Sequence, residues 1–147
     1  MAGKTGVSLN WGGFDKAMGK AAHKLGNTQA LMESVGDALV SGTLKRFDDE
    51  EDPTGKKWPK SKRAAKEGGK TLTDTALLRR SIDYAATPDK VMVGSNLPYA
   101  RIHQLGGKTG KGHKVNMPAR PYLGVSAEDM EDVRETVADF LAGAFKS

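Results

Sequence analysis

The sequence predicts an α+β fold in which a small antiparallel sheet packs with two long amphipathic helices. Two observations carry the prediction. Apolar residues recur at helical spacing over about 28–47 and about 126–145, and two short apolar or alternating runs flank a Pro-Asp pair within about 81–95. A third, the proline-punctuated segment at about 117–124, reads as extended chain suited to a sheet edge. At 147 residues the chain is long enough for one domain with a modest core and too short for two ordinary ones.

Taken in order, "MAGKTGVSLNWGGF" has no sustained period and is rich in Gly and small polar residues, which reads as a poorly ordered arm. Phe14, Met18, Ala21, Ala22 and Leu25 then share a helical face that ends at Gly26, so residues 1–26 are expected to be an arm with a short helix. The remainder, 27–147, is expected to be a single domain. Asn27 or Thr28 can cap the helix carrying Leu31, Val35, Leu39 and Phe47. The acids Asp48 to Asp52 follow where the helix dipole favours cations, which places the helix end near Phe47 and the acids in a solvated loop.

Residues 53–71 contain seven Lys and Arg against one Glu, with Pro, Gly and Ser throughout, the chemistry of a mobile basic loop. Trp58 is its exception, a large ring expected to pin the loop to the body. In "LTDTALLRRSI", Thr73 or Asp74 can cap a short turn of helix that brings Leu77 and Leu78 inward, and a strand begins near Ser81. "SIDYAA" and "KVMVGS" then read as a hairpin turned by "TPDK". "PYARIHQLGG" predicts a short helix over about 98–105 with Tyr99 and Ile102 on one face and a glycine stop. The segment at 107–116 reads as a second mobile basic loop. Ser126 can cap the last helix, with Glu128 and Asp129 in its first turn and Met130, Val133, Val137, Leu141 and Phe145 along one face.

Composition narrows the chemistry. The chain has no cysteine, which excludes a disulfide frame, a thiolate metal site and a cysteine nucleophile. It holds no apolar run suited to a signal peptide or a transmembrane helix, so a soluble cytoplasmic protein without a membrane partner is expected. A net charge of +5 and a pI near 9.4 suit a nucleic-acid or acidic-protein neighbour.

His103 is the catalytic suspect, yet no acid adjoins it to orient its ring; the nearest carboxylates along the chain are Asp89 and Glu128. His23, His103 and His113 match no local zinc spacing. Ser81, Ser95 and Ser126 sit in no nucleophile elbow. "GGKTGKGHK" fails as a phosphate loop because Ile102 stands where the first glycine is needed, and "GGKT" at 68–71 fails likewise at Ala64. No catalytic residue, cofactor or metal site is therefore assigned. Lys56, Lys57, Lys60, Lys62 and Arg63 in the first basic loop, and Lys108, Lys111 and Lys114 in the second, can touch phosphates or an acidic partner. Aromatics for stacking single strands are missing there apart from Trp58, so contact of this kind with DNA is expected to be nonspecific.

Four segments remain unexplained by chemistry: "RFDDEEDPTGKKWPK", "LTDTALLRRSI", "VGSNLPYARIHQLGG" and "MPARPYLGVS". In that order they resemble the phage virion morphogenesis family, the tail-completion and neck proteins of tailed phages and prophages. The resemblance runs from about Asn27 to Leu141. Its strongest motifs are "YARIHQLGG" and "PARPYLG", with Phe47, Pro53, Gly55 and Trp58 as a third block. One departure is Thr75-Ala76, where the family pattern tends to Thr-Gly, which puts the local turn geometry in question.

The resemblance implies a structural, non-enzymatic subunit, found on the virion and in the host cytoplasm during assembly. It implies completion of the tail end or neck and joining of tail to head, with tail tube or neck proteins as partners and a homo-hexameric ring as the working state. In that reading Tyr99 and Ile102 pack the short helix to the body, and His103 and Gln104 tie its end to neighbouring backbone. Gly106 and Gly107 release the second basic loop. Pro118, Arg120, Pro121, Leu123 and Gly124 belong to a rigid extended support, and the basic loops face packaged DNA or an acidic partner. The alternative is a nonspecific nucleic-acid-binding accessory protein using those loops.

Overall fold

The computed structural model describes residues 5–10, 20, 28–61, 65–66, 68, 77–109, 112 and 114–146. Helix α1 (Thr28–Asp49) is the central element, lying between the sheet on one side and helix α4 (Ala127–Lys146) on the other. Its buried positions, Leu31, Met32, Val35, Gly36, Leu39, Thr43, Arg46 and Phe47, recur every three or four residues and so form one continuous stripe. Two glycines in that helix set how closely its neighbours approach. A Cβ at Gly36 would collide with the ring of Tyr84 on the sheet, and one at Gly42 would collide with the Asp129 carboxylate on α4.

The sheet has the order β1-β3-β2, built from β1 (Thr5–Asn10), β2 (Asp83–Ala86) and β3 (Lys90–Ser95), all antiparallel. The register sets Val7 and Tyr84 on either side of Val93, and Leu9 and Ala86 on either side of Val91, so one face of the pleat is apolar and covers α1. The hairpin expected at 81–95 is present. Its turn is held by Thr87, whose N–H donates to the Lys90 carbonyl and whose hydroxyl accepts from the N–H groups of Asp89 and Lys90.

Four expectations are corrected. The supposed arm contributes β1, a full strand of the sheet, because Val7 and Leu9 alternate with small residues and find the central strand far along the chain. Of the leucines in α2 (Leu77–Arg80), Leu78 is buried but Leu77 is 52% exposed, since a single turn presents only one face. The segment beginning at 107 is not simply a loop: β4 (Gly107–Thr109) pairs antiparallel with β5 (Val115–Met117) in a separate two-stranded sheet. Residues 118–124 join neither sheet; the Arg120 N–H goes to the His103 carbonyl and the backbone polar groups of 121–124 go mostly to side chains instead. The short helix expected between Phe14 and Leu25, its single described residue Lys20 aside, and the caps Thr73 and Asp74 lie outside the described residues.

The two long helices run close to expectation. α1 continues to Asp49 and stops with Glu50 in the left-handed region (φ 56°), the Glu51 N–H closing back on the Arg46 carbonyl at 3.1 Å. α4 starts at the predicted cap: the Ser126 hydroxyl accepts from the Asp129 N–H (2.9 Å), and the Asp129 carboxylate accepts from the Ser126 N–H (3.0 Å). Val133 and Val137 on α4 are fully buried, with Met130, Phe140 and Leu141 packed beside them.

Candidate functional site

The three motif blocks meet at one place. Phe47 at the end of α1, Trp58 in the first basic loop and Tyr122 in "PARPYLG" form an aromatic cluster. The Phe47 ring lies 5.6 Å from Trp58 in an edge contact and 5.4 Å from Tyr122 at a 45° tilt. All three are buried. Burial also pushes the Tyr122 phenol up from its ordinary value, and its hydroxyl donates to the Ala100 carbonyl at the start of α3 (Ala100–Leu105).

Around this cluster, six of the seven backbone polar groups of 121–124 are held by a side chain. Gln104 on α3 acts as a substitute peptide: its Oε1 accepts from the N–H groups of Tyr122 (3.0 Å) and Leu123 (2.9 Å), and its Nε2 donates to the Leu123 carbonyl (3.1 Å). The indole N–H of Trp58 donates to the Pro121 carbonyl (2.8 Å). The Arg120 N–H donates to the His103 carbonyl, and the Arg120 Nε donates to the Pro59 carbonyl. Arg46 reaches in from α1, its Nε to the Tyr122 carbonyl (2.7 Å) and its Nη2 to the Gly124 carbonyl (3.0 Å) and the Thr43 hydroxyl. An irregular segment buried in this way must satisfy its polar groups, and here side chains replace a strand partner.

Three of the motif glycines have local causes. Gly124 takes φ 152°, and a Cβ there would meet the Pro53 ring at 2.6 Å. Gly106 takes φ 72° with a Cβ position 2.7 Å from the Ala119 nitrogen, so it both ends α3 and lets the chain pass close to 119. Between Asp52 and Lys56 the chain makes a tight turn. The Asp52 carboxylate accepts from the Thr54 N–H and hydroxyl and from the Lys56 N–H, contacts that hold its pKa below the ordinary value. Gly55 completes that turn at φ 90°. The first basic loop is thus ordered from 51 to 58.

Tyr99 departs from its expected role, and His103 ties the helix end to neighbouring backbone through its own carbonyl rather than its ring. Tyr99 is 39% exposed and rests its ring edge-on against His103 at 5.7 Å instead of packing into the body. His103 contributes its backbone carbonyl to the knot, while its ring Nδ1 is buried with no hydrogen-bond partner among the described residues. Burial first, and the Arg120 charge second, hold its pKa below the ordinary value of 6.5. Among the described residues, no group of acids and histidines is arranged to hold a metal ion.

Of the basic candidates, Lys56, Lys57, Lys60, Lys108 and Lys114 are exposed, and Lys57 donates to the Asp49 carbonyl. Lys62, Arg63 and Lys111 lie outside the described residues. The residues that sequence reasoning missed are Arg46 and Arg79, each on a helix face where Arg ordinarily reads as solvated. Arg79 reaches the Leu44 carbonyl and the Asp48 carboxylate, so one acid of the "solvated" run is in fact paired.

Fold and site together define a small α+β protein whose marked residues hold its own backbone and whose second hairpin stands apart from the main sheet. The chain belongs to the phage virion morphogenesis family, whose pattern matches residues 9–142 and so begins inside β1, earlier than the motifs alone suggest. It is 35% identical to the Mu-like prophage FluMu G protein 2 of Haemophilus influenzae, over 84% of this chain and 86% of that protein. It is 30% identical to the putative capsid assembly protein G of Escherichia phage Mu, over 80% and 82% of the two chains. No solved structure matches it. Among the described residues, no helix is long and apolar enough to cross a membrane.

Proposed function

We propose that this protein is a structural subunit that completes the tail end or neck of a phage particle and enables the head to join the tail. It acts through protein–protein contacts, as one copy in a homo-hexameric ring. The observation that carries this reading is the knot itself. The segments that mark the family hold one another's backbone through Gln104, Trp58 and Arg46, and so act as a rigid base for the β4–β5 hairpin. Partners are other structural proteins of the tail tube or neck, met in the host cytoplasm during assembly and retained on the virion. A subunit with a small core and a projecting hairpin suits a heterologous ring contact.

Removing the gene from its phage should yield heads and tails that form but do not join. Normal infectious particles without it would sink the proposal. A second reading, nonspecific contact with packaged DNA, is favoured by the exposure of Lys56, Lys60, Lys108 and Lys114. It predicts DNA binding that weakens steeply with salt and is lost when these lysines are neutralised.

A further inference from the structure

The two halves of a charge-complementary contact sit at different places on this one molecule. The first is the β4–β5 hairpin. From Gly107 to Met117 the sequence has three lysines and no acid, and Lys108 and Lys114 are exposed. Leu105, immediately before it, is 60% exposed. The hairpin's substantial contacts are internal: it does not pack against α1, α4 or the three-stranded sheet to any comparable degree. A two-stranded hairpin alone is marginally stable in water, so a neighbour that covered this one would stabilise it.

The second half is a cleft of about 370 Å³ between the C-terminal half of α1, the 51–55 turn and the start of α4. Six carboxylates line it, and two are neutralised within the chain, Glu128 by Lys45 and Asp129 by Arg46. Asp52 is engaged by its own turn. Asp49, Glu51 and Asp132 have no ion-pair partner among the described residues. The surplus is felt by Lys45, whose pKa is raised first by Glu128 and further by Asp49 and Asp132.

We propose that the β4–β5 hairpin of one molecule docks into the acidic cleft of a second copy of this chain. Lys108 and Lys114 face Asp49, Glu51 and Asp132 in that contact. The two surfaces are different patches of the same protein, so the contact is head to tail, and repetition closes a ring or extends a filament. Opposite fields on arm and cleft steer the encounter, fix its register and make it weaken with salt. The inference rests on the reading of this protein as a self-associating assembly subunit and names the surfaces that would do it.

The test is a charge swap followed by light scattering behind a sizing column, at low and high salt. The wild type should form an assembly that dissociates as salt rises. The hairpin variant Lys108→Glu/Lys114→Glu and the cleft variant Glu51→Lys/Asp132→Lys should each stay monomeric. Both should keep the wild-type circular dichroism and unfolding midpoint, because all four side chains lie at the surface or in the open cleft. Mixing the two variants should restore assembly, since each then offers the surface that the other lacks, and the fourfold variant should assemble alone.

A wild type that stays monomeric at the highest concentration and lowest salt reached overturns the inference, as does a hairpin variant that still assembles. Salt-sensitive DNA binding by a protein that stays monomeric would assign the lysines to phosphate instead, which also overturns it. A monomeric wild type whose gene is still needed for head-tail joining would leave the assembly reading standing. Normal particles without the gene would remove that reading, whatever the solution mass.

Discussion

The guanidinium of Arg46 and the carboxylate of Asp129 meet at 2.7 Å with side chains only 7% and 3% exposed, joining the end of α1 to the start of α4. Each partner does further work. The same Asp129 oxygen accepts from the Ser126 N–H and so caps α4, while Arg46 also holds the Tyr122 and Gly124 carbonyls. Removing one member of a buried pair leaves the other charged without compensation, which costs about 3–5 kcal/mol. Arg46→Ala and Asp129→Ala should therefore each destabilise the protein by about that amount in urea unfolding. Arg46→Lys should fail to rescue, because an ammonium cannot span carboxylate and carbonyls at once. A loss under about 1 kcal/mol for Arg46→Ala would mean that water replaces the fork.

The helix glycines give a graded prediction. Gly36→Ala drives a methyl into the Tyr84 ring and Gly42→Ala drives one into the Asp129 carboxylate, and overpacking of this kind costs about 1–3 kcal/mol. Gly143, on α4, has open space around its Cβ position, so Gly143→Ala should instead add up to about 1 kcal/mol through helix propensity. Thermal unfolding of the three variants should give two losses and one gain. Losses at all three would point to backbone effects common to glycine rather than to these contacts.

For Trp58 two substitutions separate burial from hydrogen bonding. Trp58→Ala removes a buried ring that touches Phe47 and should cost about 3–5 kcal/mol. Trp58→Phe keeps much of the burial but leaves the Pro121 carbonyl without its donor, a cost of about 1–3 kcal/mol. Equal losses for the two would show that the indole N–H, not the ring, anchors the loop.

Much of this was legible where a residue's cause is local. Ser126 caps the helix it precedes, "TPDK" turns the hairpin it lies in, and a lone tryptophan among lysines is buried. β1 was not legible, because "TGVSLN" has two apolar residues and its strand character comes from β3, which is distant in sequence. Arg46 was hidden for a related reason. Nothing within a few residues marks it for burial, since its acceptors at 122, 124 and 129 arrive only with the tertiary fold. The motifs "YARIHQLGG" and "PARPYLG" were visible as unusual, and the Gln104 bridge gives them a physical cause that neither segment reveals alone.

The ring of His103 gives the fold a pH dependence whose sign follows from its surroundings. Its Nδ1 is buried without a partner among the described residues, and Arg120 is close enough to oppose a second positive charge. The folded protein therefore holds the proton less tightly than the unfolded chain, whose histidine titrates near 6.5. As pH falls below that value the unfolded state binds more protons than the folded one, so stability declines until the depressed folded value is passed. Above 6.5 the contribution is complete. The unfolding midpoint of the wild type should thus fall between about pH 7.5 and about pH 5.5 by more than that of His103→Gln. His23 and His113 are present in both proteins and cancel in the difference. Asp52, the described carboxylate with a lowered value, loses its contribution only below its ordinary 3.8, outside this window. Parallel curves for the two proteins would mean that the ring turns to find an acceptor once charged, and that the knot at 120–124 tolerates the change.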